Sequence, residues 1–442
     1  MNLLVRHGLL VGEGTEFVGD VLVREGRIAD VGERLEGPAG VHEIDATGCW
    51  VGPGFVDLHT HLREPGREEA ETIESGARAA AVGGYTAVVA MPNTEPALDN
   101  VALVSYVLER GRHCLVDVAV AGAITQGRRG ELLAPLAQMA ELGVRIFTDD
   151  GVGVQDPSLL RRALEYAAPL RVRLAQHCED ERLAAGGSMN EGLLSSRLGL
   201  VGRPALAEEL MVQRDIELVR LTGGALHFMH LSTGRSLMMV ERARLDGLAV
   251  SAEVAPHHFT LDESACAGYD PLFKVHPPLR AASDVAAVRA ALLNGPVDAV
   301  ATDHAPHRVE EKALPFERAA PGMIGLELAL AICVTLGGMG GDWIPTLVDR
   351  LTIGPFRVLG HSSGVREPRL RIGEAATCVL FDPAAEWTVE PAHLRSASQN
   401  TPLLGARLRG RVLMTLVDGA LVHHDRQRLP WPAAAGTETV RA

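Results

Sequence analysis

Residues 54–66 read Gly-Phe-Val-Asp-Leu-His-Thr-His-Leu-Arg-Glu-Pro-Gly. The first half is a short apolar run of the kind that forms a buried strand. It ends in His59 and His61, separated by one residue. Side chains on a strand repeat every second position, so the two imidazoles point the same way. Two imidazoles at the end of a buried strand can grip one metal ion. Alone, the pair is equally compatible with a core histidine beside a surface one, and the rest of the chain has to decide.

Working outward from this stretch, strand-like and helical segments alternate. The apolar runs fall at 54–61, 85–93, 114–124, 144–150, 171–179, 225–232, 249–258 and 296–306. Helical patterns lie between them at 68–82, near 99–111, 130–142, 157–167, in a long region ending near 221, at 234–246 and near 283–293. Eight parallel βα units predict an α/β fold, a (β/α)8 TIM-type barrel with insertions. An open doubly wound sheet is the competing reading, but no GxGxxG follows the first strand. Short strands at 2–6, 19–24 and 27–31, and again at 376–382 and 410–424, predict a small β-sandwich domain built from both chain ends. The expected division is 1–51 and 366–442 for that domain and 52–365 for the barrel. A loose tail is expected over 429–442.

The bulk properties narrow the function. The chain has 442 residues, 47% hydrophobic and 22% charged, an ordinary globular balance. Its net charge is −14 and its basic residues do not cluster, which argues against nucleic acid or an anionic membrane as partner. Six scattered cysteines without a CxxC fit reduced thiols in a cytoplasm. The first residues lack a signal-peptide apolar region, and no 18-residue apolar run suggests a membrane span.

Polar residues collect at the carboxyl ends of the apolar runs: His59 and His61, Asn93, Asp149 and Asp150, His177, His230, and Asp303 with His304 and His307 beyond it. Barrel active sites are built at that face. An Asp after a strand is often a helix cap. Four histidines and two aspartates converging on one face point instead to a metal centre. His59, His61, His177, His230 and Asp303 are too many ligands for one catalytic zinc, which usually takes three. A pair of ions would activate a shared water and polarise a carbonyl. A bridging anion is then needed. Of 42 basic residues only Lys274 and Lys312 are lysines, and neither follows strand four, so a lysine carbamate is ruled out. Asp149 or Asp150 remains. Strand alternation turns only one of them inward, and the residues leave open which.

These blocks resemble a known family. GFVDLHTHLREPG, AMPNTEP (90–96), FTDDGVGVQ (147–155), AQHCED (175–180), HLS (230–232), SAEVAPHH (251–258), KVHPPLR (274–280), ATDHAPH (301–307) and NTP (400–402) are similar, in order and spacing, to the type I dihydroorotases of the amidohydrolase superfamily. The resemblance implies two Zn2+ per subunit, one on His59 and His61, the other on His177 and His230, with Asp150 bridging. It makes Asp303 a ligand of the first zinc and the catalytic proton shuttle. It assigns His61, Arg63, Asn93, His276, His307 and the backbone near Pro321 and Gly322 to the substrate, Arg63 and Asn93 holding its carboxylate. The implied reaction is the reversible cyclisation of N-carbamoyl-L-aspartate to L-dihydroorotate in pyrimidine biosynthesis, in a cytoplasmic homodimer. A complex with an aspartate transcarbamoylase is left open. Two positions depart from the family pattern: His276 replaces the usual Asn, and Pro321 stands where many relatives have Phe. The alternatives are another cyclic amidase, such as an allantoinase or dihydropyrimidinase, and a ligand-free scaffold for the transcarbamoylase. The loop 308–320 is expected to cover the site.

Overall fold

The structure, a computed structural model, describes residues 1–12, 15–338 and 343–429. Eight strands form one parallel sheet in sequence order: Phe55–Thr60, Tyr85–Ala90, Asp117–Gly122, Ile146–Thr148, Arg173–Gln176, Leu226–Phe228, Val250–Val254 and Val297–Val300. They are almost wholly buried, as parallel strands covered by helices must be. The first and eighth strands approach each other and nearly close the barrel. Thr302 donates its N–H (3.0 Å) and its Oγ1–H (2.6 Å) to the buried Asp57 carboxylate. The N–H of His61 donates to the carbonyl of His304 at 2.9 Å. Small residues from several strands, among them Ala87, Ala119, Ala121, Ala175 and Ala299, pack together inside, with helix Ile353–Leu359 against them. A larger core joins the strands to the surrounding helices.

Strands from both chain ends make a second eight-stranded sheet, as expected. Its order is Ala420–His424, Arg407–Val417, Cys378–Thr388, Trp50–Pro53, Leu3–Gly12, Thr15–Arg24 and Arg27–Gly32, with His42–Asp45 also paired to Leu3–Gly12. The two ends meet where Trp50–Pro53 pairs antiparallel with Cys378–Phe381. Only Gly54 separates that strand from the first barrel strand. Trp50, Phe381, Phe55 and Tyr85 stack in succession across the joint, with centroids 5.2, 6.2 and 5.7 Å apart.

Several segments differ from the sequence reading. The 410–424 run is a hairpin, because Asp418 (φ 53°) and Gly419 (φ 75°) turn the chain. The third helix is only Leu136–Glu141, since 125–134 folds back on itself ahead of Pro135. The long helix begins at Ala205, after Pro204. The preceding stretch holds a short helix, Leu193–Leu198, and a paired bridge of Met189–Asn190 with Gly202–Arg203. Of the expected tail, Leu429 is buried against the end sheet, and 430–442 lie outside the described residues. Among the described residues no helix is long and apolar enough to cross a membrane.

Candidate metal centre and substrate cleft

The barrel's carboxyl face holds a cleft of about 200 Å³. His61, Arg63, Asn93, Asp150, His177, His230, His276, Asp303, His307, Pro321 and Gly322 line it. His59, the remaining expected residue, lies fully buried beside them. The expected site residues are therefore brought together.

Asp150 is the hub. Its Oδ1 lies 3.4 Å from His59 Nε2, 3.8 Å from His177 Nδ1 and 3.7 Å from His230 Nε2. Its Oδ2 lies 3.7 Å from His61 Nε2. Asp303 Oδ1 is 3.1 Å from His61 Nε2 and 3.7 Å from His59 Nε2. Of the paired aspartates, Asp150 is the one that faces the imidazoles. Asp149 turns the other way, accepting from the N–H groups of Ile124 (2.9 Å) and Thr125 (3.0 Å) and from the Thr125 hydroxyl. It ties strand three to strand four and leaves Asp150 to the cleft.

The donor set fits divalent cations. His59, His61 and Asp150 form one possible ligand group, and Asp150, His177 and His230 another. Buried His59 Nε2 has no hydrogen-bond partner among the described residues, although two carboxylates lie 3.4 and 3.7 Å away. The facing ring nitrogens of His177 and His230 are 2.9 Å apart. Burial, with His276 and His230 nearby, drives His177 well below the usual imidazole range, so its ring is neutral. Two imidazole nitrogens this close, with a shared carboxylate oxygen 3.8 and 3.7 Å from them, suit a cation between them. Burial alone would raise Asp150, but His59 and its fellow imidazoles hold it well below the usual carboxylate range. Asp303 is likewise held far down against its burial by His61 and His59. Burial opposes charge on His59, yet Asp150, Glu253 and Asp303 raise it well above its usual value. The pocket is built for positive charge. Neither lysine lines it.

Outer contacts aim these ligands. The Nδ1–H of His59 donates to Glu253 at 2.9 Å, and that of His61 donates to Asn93 Oδ1 at 2.9 Å. Each leaves Nε2 for the centre. The Asn93 amide also donates to Asp150 Oδ2 at 3.1 Å. Glu253 escaped the sequence reading. It is a fully buried carboxylate on strand seven, held down to about 2, against its burial, by His227 and His59. Its only sequence signal is an acidic residue in the apolar run 249–255. Arg63, His230 and Asp303 all have positive φ (60°, 32° and 48°). Non-glycine residues held this way cluster where function needs an exact side-chain direction.

On the substrate side, Arg63 is buried, and no carboxylate pairs with it among the described residues. Its Nε–H donates to the Pro306 carbonyl at 3.0 Å. Burial, helped by Arg67, brings its guanidinium down to about 10. His276 is otherwise occupied: its Nε2 contacts Glu179, to which Arg203 also donates. Its ring meets His177 edge-on at 4.5 Å. Glu179 and His276 could join His177 as a further ligand group, but Arg203 already answers that carboxylate. The Pro321 carbonyl accepts from His307 at 2.8 Å, and the Gly322 N–H donates to the Lys274 carbonyl at 2.8 Å.

Fold and ligand geometry together define a metal-dependent hydrolase of the amidohydrolase barrel class. An L-hydantoinase (dihydropyrimidinase) from Arthrobacter aurescens superposes with a TM-score of 0.85 at 23% identity over 96% of each chain. At that identity the likeness concerns the fold. Residues 48–236 match the Dihydro-orotase-like family model. A dihydroorotase of Anaeromyxobacter dehalogenans is 47% identical over 93% of this chain and 95% of its own. Dihydroorotases of Pelotomaculum thermopropionicum (46% identity, 96% and 99% coverage) and Pelobacter propionicus (43%, 96% and 100%) match similarly. The chain belongs to the dihydroorotase family.

Proposed function

We propose that the protein interconverts N-carbamoyl-L-aspartate and L-dihydroorotate, using two zinc ions per subunit. One observation carries the choice of substrate: a buried arginine, without a carboxylate partner among the described residues, faces the same cleft as the two ligand groups. A planar guanidinium is shaped for a carboxylate and would be left uncompensated by a neutral ring. His59 and His61 would hold one ion, His177 and His230 the other, with Asp150 between and Asp303 on the first. When bound, the ions polarise the ring amide carbonyl and lower the pKa of the attacking water. Asp303 is ionised at neutral pH, so it accepts the proton from that water and hands it to the departing ring nitrogen. Closure retraces these steps. Arg63 and Asn93 fix the carboxylate, so the reacting carbonyl arrives in one orientation.

The test combines zinc content with ring-opening of dihydroorotate, allantoin and dihydrouracil by the purified protein. The expected result is about two zinc per chain and turnover of dihydroorotate alone. Turnover of a neutral ring instead would replace the substrate reading. Absence of both metal and turnover would favour the scaffold role beside a transcarbamoylase. Light scattering of the same preparation tests the homodimer.

A further inference from the structure

We propose that Lys312 is a positioning residue: its ammonium is a three-legged clasp that holds the substrate-side wall of the cleft in shape. This rests on the dihydroorotase reading only for its kinetic arm.

Lys312 ends the short helix Val309–Lys312 and is buried. Its Nζ donates to three carbonyls, those of Ala320 (2.8 Å), Gly322 (3.0 Å) and Lys274 (3.4 Å). No carboxylate pairs with it among the described residues. An ammonium has three N–H donors and no acceptor, so three carbonyls match its protonated form. A neutral amine would aim a lone pair at one of them. The carbonyls belong to two segments that line the cleft. Lys274 leads into His276, and Ala320 and Gly322 flank Pro321. Gly322 is also gripped from the other side: the Asn400 amide donates to its carbonyl at 3.1 Å and to that of Ala305 at 2.9 Å. Asn400 Oδ1 in turn accepts from the His307 N–H at 3.0 Å. The Gly322 N–H joins the 320–322 segment to the Lys274 carbonyl at 2.8 Å, and Lys312 braces that junction by donating to a carbonyl on each side of it.

The composition supports the reading. This chain uses arginine almost everywhere for positive charge, and its two lysines both serve one loop. Lys274 donates to the carbonyl of Glu317 at 2.9 Å. A planar guanidinium fork cannot converge on three carbonyls around one point, whereas a compact ammonium can. Burial, with Lys274 nearby, lowers Lys312 to about 7, Asp270 opposing. His307 faces it, and Glu69, Arg308 and Glu310 line the adjoining surface cavity. The clasp therefore loosens as the pH rises past neutrality.

The test uses the zinc-loaded full chain and two variants, Lys312→Met and Lys312→Arg. In Lys312→Met, amide exchange across 319–324 and 274–276 should speed up about tenfold or more. Zinc content should stay as in the wild type. KM for dihydroorotate should rise about tenfold with kcat within about threefold. Lys312→Arg should restore neither exchange protection nor KM. Unchanged exchange, a loss confined to kcat, or full rescue by arginine would each overturn the clasp. Should Lys312→Met fail to fold, Lys312→Gln decides: its shorter amide cannot reach all three carbonyls, so exchange across 319–324 should again quicken, and unchanged exchange would overturn the proposal. If the wild type ignores dihydroorotate, the functional reading falls while the exchange experiment still judges Lys312.

Discussion

Arg63 shows how one side chain can be committed to a ligand. It sits in a left-handed backbone conformation, out of water, with a carbonyl on Nε and no carboxylate paired with it among the described residues. Burying a guanidinium that way costs stability unless a ligand later compensates it. Substrate carboxylate binding would supply that compensation in ground and transition state alike. Arg63→Ala should therefore raise KM for dihydroorotate about tenfold to a hundredfold while kcat changes little. Steady-state kinetics at fixed zinc check this, and an unaltered KM removes Arg63 from carboxylate binding. Adjacent Asp149 and Asp150 divide in the same decisive way. One accepts two backbone amides, so it cannot also serve the metal centre; the other faces four imidazoles.

At the scale of elements, the site is set by loops that leave the strands and cross one another. Gly66 marks the crossing. Its φ is +102°, and a Cβ there would lie 1.9 Å from the carbonyl oxygen of Glu95. The Glu95 N–H donates to the Pro65 carbonyl at 3.0 Å beside it. The loop carrying Arg63 and the loop carrying Asn93 are thus packed backbone to backbone. Gly66→Ala should cost about 2–3 kcal/mol of stability and raise KM, because relief means parting the two loops. Thermal unfolding and kinetics together check it; an unperturbed midpoint would show that the loops yield freely.

What could be read in advance follows the same division. A polar side chain that ends a buried apolar run is costly there unless a partner or ligand answers it, so His59, His177, His230 and Asp303 were legible. Glu253 was not, because its partners His59 and His227 come from other strands and no local pattern signals a carboxylate facing into a barrel. The strand Trp50–Pro53 was not, because it is short and lies between Leu3–Gly12 and Cys378–Thr388, the second partner over 300 residues away. The long helical region expected to end near 221 begins only at Ala205, because Gly186, Gly187, Gly192 and Pro204 break the stretch ahead of it. His276 was legible as unusual, and only the fold shows Glu179 and Arg203 engaging it.

Across the whole molecule, the metal centre is anchored by a polar chain through the buried barrel. His59 on strand one reaches Glu253 on strand seven; Glu253 reaches His227 on strand six at 3.1 Å. His227 meets Ser251 at 2.9 Å, and Arg173 on strand five donates to Ser251 at 3.2 Å. Strands one and seven are not neighbours in the sheet, so this chain bonds across the barrel rather than along it. Barrel stability and the aim of His59 are therefore coupled. Glu253 titrates near 2 when folded, below the roughly 4.3 of an unfolded glutamate. Its depressed value means that its contribution is fully present above about pH 4.3 and is lost as the pH falls toward about 2. The experiment uses chelated protein, which removes ligand-binding stabilisation from the comparison. At neutral pH, Glu253→Gln should unfold at lower denaturant than the wild type, by about 2–3 kcal/mol for a broken buried pair. That gap should shrink steadily below about pH 4 as the wild-type carboxylate takes up its proton. Restoring zinc should widen the gap again at neutral pH, because the variant's His59 is no longer held. A gap that stays constant from neutral to acid pH would mean that Glu253 acts as a space-filling group, and the cross-barrel coupling would have to be given up.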